Sequence, residues 1–96
     1  MIDGEFEWDD AKATLNLVKH GVAFEAGCRA FSDAFAIEIV DSESQPGELR
    51  YRIIASVQGV LLTVVYTERG ARIRIISARK ATKHEQREYY RSQRAE

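Results

Sequence analysis

Residues 60–68 read VLLTVVYTE, the longest nearly unbroken apolar run in the chain. Its β-branched content, with no charge before Glu68, fits a central strand covered on much of both faces. On either side the pattern changes to period two. Across residues 49–57, Leu49, Tyr51 and Ile53 point one way and Arg50, Arg52 and Ile54 the other. Across residues 72–77, Arg72 and Arg74 alternate with Ile73 and Ile75. The dipeptides Gln58-Gly59 and Arg69-Gly70 separate the three runs as short glycine turns, which predicts an antiparallel meander. A fourth alternating stretch starts at Phe35, with Phe35, Ile37 and Ile39 opposed to Ala36, Glu38 and Val40. Residues 41–48 (DSESQPGE) then form a turn-rich connection that holds the only proline.

Before the meander the period is helical. Residues 5–8 (EFEW) suit a short edge strand, with Phe6 and Trp8 facing away from the glutamates. Asp9 or Asp10 can cap the helix that follows, in which Ala11, Leu15 and Val18 recur at helical spacing and are expected to face the core. Lys19-His20-Gly21 ends it, with basic side chains at the negative end of the dipole and glycine ready for a left-handed cap. A second short helix sets Phe24, Cys28 and Phe31 on one face, with Gly27 allowing a close neighbour, so Cys28 reads as a small core residue. After the last strand, Thr82 and Glu85 form a T-x-x-E capping box. The terminal helix carries Arg87, Arg91 and Arg94 with Tyr89 and Tyr90 and few aliphatic anchors, so it is expected to lie loosely on the sheet or serve a partner.

The order is a short N-terminal strand, two helices, an antiparallel four-strand meander and a C-terminal helix, an α+β fold. The helices are expected to cover one sheet face, with Phe24, Phe31, Ile37, Tyr51, Ile53, Ile73 and Ile75 between the layers. Arg50, Arg52, Arg72 and Arg74 would occupy the other face.

Ninety-six residues make one domain, 1–96, and 45% apolar with 30% charged residues is an ordinary globular balance. No apolar run approaches the roughly 20 residues of a membrane helix. The acidic start MIDGEFEWDD does not resemble a secretion signal, and the single cysteine allows no intrachain disulfide, so a cytoplasmic location is expected. The net charge of −1 hides a polarity: residues 1–48 hold 11 Asp/Glu against 3 Lys/Arg, and residues 49–96 hold 4 against 11. Either the basic half meets an anionic partner or the halves pair with each other. An arginine face with Tyr66 nearby offers bidentate phosphate binding and a ring on which a base can stack. The competing reading is a solvated face, or arginines paired with Asp41 and Glu48. There is no glycine-rich phosphate loop, no CxxC and no GxSxG, and His20, His84 and Cys28 fall at no metal-ligand spacing, so neither cofactor nor metal is expected.

Three segments together resemble the BrnT toxin family: FEWDDAKATLNLVKHGVAFEAG, VVYTERG, and RIRIISARKAT followed by E and Y at helical spacing. The most specific pieces are W-D-x-x-K-x-x-x-N-x-x-K-H-G from Trp8 to Gly21 and I-I-S-A-R-K-A from Ile75 to Ala81, and the resemblance spans Phe6 to Tyr89. It implies a toxin of a type II toxin–antitoxin pair with a RelE/ParE-like fold, a ribonuclease that arrests growth by cutting RNA. It further implies a BrnA-type ribbon-helix-helix antitoxin as partner in a hetero-oligomer, with operator DNA reached only through that antitoxin. Two other functions remain open: a ParE-like action on DNA gyrase, and a non-catalytic nucleic-acid-binding module.

Metal-free RNA cleavage needs a base for the 2′-hydroxyl, positive charge around the pentacoordinate phosphate and an acid for the leaving 5′-oxygen. His20 is the candidate base, since imidazole exchanges protons near neutrality; the alternative is a helix-end cap that never meets substrate. Arg72 and Arg79 suit charge stabilisation, and Lys80 suits backbone binding or acid work. Tyr66 suits stacking or proton donation, with a buried core tyrosine as the alternative. Lys12, Asn16 and Lys19, on or beside the polar face of the first helix, are expected to extend an RNA-binding surface with Arg50, Arg52 and Arg74. Arg79 is expected on a hinge between the last strand and the terminal helix, aimed into the basic face; the alternative is that it pairs with an acidic residue such as Glu85 and holds the helix in place.

Overall fold

The computed structural model describes residues 2–94. In chain order the elements are β1 (Ile2–Asp3), β2 (Phe6–Glu7), α1 (Asp10–His20), α2 (Phe24–Cys28) with a 3-10 turn over Arg29–Ser32, β3 (Ile37–Val40), β4 (Tyr51–Val57), β5 (Val60–Arg69), β6 (Arg72–Lys80) and α3 (Lys83–Arg94). The strands form one mixed sheet in the order β1-β2-β6-β5-β4-β3. From β3 to β6 the pairing is antiparallel throughout, as the alternation predicts. The short N-terminal strand β2 joins parallel to β6 through Phe6↔Ile73, and β1, which the pattern did not foretell, lies outside it. Among the described residues no helix is long and apolar enough to cross a membrane.

Local chemistry sets the ends of these elements. The Asp9 carboxylate accepts from the Lys12 backbone N–H at 3.1 Å and caps α1, while Gly21 closes it at φ 70°. At the β4–β5 turn Gln58 and Gly59 both take positive φ, 51° and 84°, which matches the twist of a two-residue hairpin. The Thr82–Glu85 box forms reciprocally: Glu85 N–H donates to Thr82 Oγ1 at 3.1 Å, and Thr82 N–H donates to Glu85 Oε1 at 2.9 Å.

The main core lies between one sheet face and the α1–α2 pair. Phe24, Ile53, Val64, Ile75 and Ala78 are buried there, and Trp8 meets Phe24 edge-on with ring centroids 5.9 Å apart. Gly27 is where α2 touches the sheet: a Cβ there would stand 3.4 Å from Ala78 Cβ and 3.5 Å from Val64 Cγ2. A smaller cluster on the opposite face joins Ile54, Ala81 and Tyr89, with Ile37 and Leu61 packed against it.

Four expectations are corrected. Helix α1 is turned roughly half a revolution from its apolar stripe, given 100° per residue. Ala13 packs on the core and Asn16 is buried, while Leu15 and Val18 are 68% and 83% exposed and Ala11 is exposed. The cause is hydrogen bonding: Asn16 Nδ2 donates to Ala78 O (2.8 Å) and Val22 O (2.9 Å), and Asn16 Oδ1 accepts from Ala78 N–H (3.2 Å). Beyond the end of β2, the edge of β6 is thus completed by a side-chain amide, and leaving those groups unmet in the interior costs more than exposing a leucine and a valine. Secondly, β6 runs on to Lys80 because the long β5 pairs with it as far as Leu62↔Lys80. An irregularity between Tyr66↔Ile75 and Val65↔Ser77 breaks the alternation that would have revealed this, so Arg79 lies in the strand and not on a hinge. Thirdly, Ile37 pairs with Ile54 and packs in the smaller cluster, on the arginine side of the sheet. Fourthly, α3 is anchored, through buried Glu85 and through Tyr89, whose hydroxyl donates to Asp33 Oδ2 at 2.6 Å. That same oxygen accepts from the Ser56 N–H, so one carboxylate joins α3 to β4.

Candidate functional site

The arginines do share one sheet face, but most have an acidic partner. Glu85 is the centre of the largest group. Its Oε1 accepts from Arg79 Nη1 (2.7 Å), Thr63 Oγ1 (2.9 Å) and the Thr82 N–H (2.9 Å). Its Oε2 accepts from Arg52 Nη1 (2.8 Å) and Arg79 Nη2 (3.0 Å). Register explains the convergence: Thr63 pairs with Arg79 and with Ile54, and Arg52 lies two residues before Ile54 on the same face. Burial raises the pKa of the Glu85 carboxyl, but the Arg79, Thr82 and Thr63 hydrogen bonds outweigh it and bring the group down to about 2. Hydrogen bonding to Glu85 raises the Arg79 pKa in return, against burial. With five donors on two oxygens, Glu85 is an anchor and not a base. Asp41 Oδ1 lies 3.3 Å from Arg52 Nε, an ion-pair distance without a formed hydrogen bond.

Toward the other end of the face, Arg74 Nη1 donates to Glu7 Oε2 at 2.8 Å, and Arg69 lies 3.9 Å from the same oxygen. Arg50 Nε donates to Glu48 Oε1 at 3.2 Å. Arg72, paired across the hairpin with Arg69, has no acidic partner among the described residues. The two halves of the charge pattern therefore meet each other at Glu7, Asp41 and Glu48.

A second group differs. Lys12, Lys19 and half-buried His20 of α1 line a cleft of about 220 Å³ against Ile76 and Ser77 of β6, with Leu15 on its rim. Asn16 holds the two walls together through Ala78. Among the described residues none of Lys12, Lys19 and His20 forms an ion pair. Ser77 belongs to both regions, since it lines this cleft and pairs with Val65 on the arginine face, two residues from Arg79.

Tyr66 is separated from both. It is buried on the main-core face, stacked on Tyr51 (centroids 5.4 Å, 27°), with its hydroxyl donating to Glu38 Oε2 at 2.8 Å. Burial and the Glu38 carboxylate raise its pKa. Lys80 is exposed at the end of β6, and its carbonyl accepts from Arg79 Nη1 at 3.3 Å. The sequence reading missed Glu7 and Thr63 as partners of the arginines, and Glu85 as a partner of Arg52; the Arg79–Glu85 pair is the one it had offered as an alternative. The T-x-x-E motif did mark Glu85, but a capping glutamate uses one oxygen for its cap and has the other for an arginine. Among the described residues no three His, Cys, Asp or Glu side chains gather as a metal-binding group.

Against known proteins, a profile of the family described as "Ribonuclease toxin, BrnT, of type II toxin-antitoxin system" matches residues 8–85. No curated protein matches the chain.

Proposed function

The chain belongs to the BrnT family of ribonuclease toxins of type II toxin–antitoxin systems, and from that membership we propose that it cuts RNA where the α1 cleft meets β6. The observation that carries the reading is the family match over residues 8–85. The location is supported by Lys12, Lys19 and His20 of the cleft, which form no ion pair among the described residues, and by Ser77, which joins the cleft to the Arg79 side of the sheet.

In this reading a single RNA strand crosses β6 near Ser77. His20 takes the proton of a 2′-hydroxyl, whose oxygen attacks the adjacent phosphorus. The P–O5′ bond breaks, leaving a 2′,3′-cyclic phosphate and a 5′-hydroxyl that receives a proton from a cationic donor, for which Lys80 is the candidate. Arg79 answers the charge that builds on the phosphoryl oxygens; Arg72, at the opposite end of β6, is too far away to share that phosphate. Arg79 keeps N–H groups beyond those given to Glu85, so the buried carboxylate aims the guanidinium without consuming it. Lys12 and Lys19 grip flanking phosphates. The RNA supplies its own nucleophile, so the step needs no metal. The whole of 1–96 acts as one toxin domain with a RelE/ParE-like fold, in the cytoplasm. Its neutralising partner is a BrnA-type antitoxin that alone contacts operator DNA.

Purified, antitoxin-free protein incubated with total RNA in EDTA tests this. Fragments ending in 2′,3′-cyclic phosphate are expected. Intact RNA alongside growth arrest in cells would move the target to DNA gyrase.

A further inference from the structure

Helix α1 carries an apolar stripe that the fold leaves outside. Val18 is 83% exposed, Leu15 68%, and Ala11 is exposed on the same side. At 100° per residue these three fall within roughly 60° of arc, nearly opposite Asn16 and Ala13, which face the sheet. Lys12 and Lys19 lie between the stripe and Asn16, so the surface passes from apolar side chains to two ammonium groups without an ion pair among the described residues, and then into the His20 cleft. An exposed stripe of leucine and valine on a helix that already docks by another face marks a contact surface.

The chemistry of the stripe selects its occupant. A phosphate backbone has nothing to offer Leu15 and Val18. A second copy, docking α1 antiparallel on α1 about a two-fold axis, would set Lys12 of one chain against Lys19 of the other. A protein segment with apolar side chains flanked by carboxylates satisfies both halves, and a type II toxin has such a protein as its antitoxin.

We propose that Ala11, Leu15 and Val18, with Lys12 and Lys19, form the docking site for an acidic, apolar segment of the antitoxin. The bound segment covers the adjoining His20 cleft, so neutralisation is occlusion of that cleft and needs no rearrangement of the sheet. The docking site rests on family membership alone; the occlusion rests in addition on the proposed place of cleavage.

The test measures the affinity of the purified cognate antitoxin for wild-type toxin, Val18→Asp and Val40→Asp. Each variant's RNA cleavage is measured without antitoxin. Val18 and Val40 are both exposed, and Val40 lies on the free edge of β3, the other apolar surface a partner strand could use. Val18→Asp should weaken the complex roughly thirtyfold or more, the loss typical of an interface hot spot, and leave cleavage at the wild-type rate. Val40→Asp should bind as wild type does. Undiminished affinity of Val18→Asp overturns the proposal, as does loss of binding confined to Val40→Asp. The affinities are read without RNA, so a chain that cuts none would overturn the ribonuclease reading and leave the docking result standing.

Discussion

The Glu85 cluster and the α1 cleft lie within a few residues of each other along β6, and both gather cations, the cluster from two strands and the cleft from the one helix α1. In the cluster, Arg52 and Arg79 converge on a carboxylate only 5% exposed, which also binds Thr63 and caps α3. In the cleft, Lys12, Lys19 and His20 form no ion pair among the described residues and open to solvent. The first arrangement uses positive charge to hold the terminal helix on the sheet; the second leaves it available to an anion. An arginine-rich strand face is therefore weak evidence for phosphate binding until its acidic partners have been located.

The largest expected difference between the regions is in stability. Glu85→Ala leaves two guanidinium groups without their shared partner and removes a helix cap, and should cost on the order of 3–5 kcal/mol in urea unfolding. Lys12→Ala and Lys19→Ala should each stay within about 0.5 kcal/mol of wild type. Comparable losses in all three variants would erase the distinction.

Acid unfolding sharpens the same contrast. The Glu85 carboxyl is lowered from 4.5 to about 2 by its hydrogen bonds, so its contribution is present above pH 4.5 and is lost as pH falls toward 2. Wild type should lose stability through that window, and Glu85→Gln should lose distinctly less. Asp33, also lowered, by the Ser56 and Tyr89 hydrogen bonds against burial, gives both proteins a residual slope of the same sign.

The features that sequence revealed are those decided by near neighbours. Asp9, Gly21 and the Thr82–Glu85 box act within one helical turn, and the strand alternation on either side of Gln58-Gly59 reads directly as a hairpin. Features that depend on distant chain were hidden. The orientation of α1 is set by Asn16 bonding to Ala78, 62 residues away, against the helix's own apolar stripe. Arg74 appears unpaired until parallel pairing brings Glu7 beside it. Of the candidate site residues, Lys12, Lys19 and His20 do share a cleft, whereas for Tyr66 the alternative holds, a buried core tyrosine, a choice left open because its strand's two sides are almost equally apolar.

The smallest expected effect is on salt dependence. Each phosphate contact to single-stranded RNA releases about 0.7 of a counterion, so Lys12→Ala or Lys19→Ala should flatten the slope of log affinity against log salt by about that amount. Arg74→Ala should change it little, since Glu7 already neutralises that guanidinium. A slope that responds to Arg74 and ignores the lysines would put the RNA on the far end of the sheet.

The most direct test is the cleavage rate of antitoxin-free His20→Gln on RNA in EDTA, with its melting temperature measured alongside. If the α1 cleft supplies the base, the rate should fall roughly a hundredfold to ten-thousandfold while the protein melts as wild type does. A rate equal to that of wild type would show that RNA is cut elsewhere on this molecule.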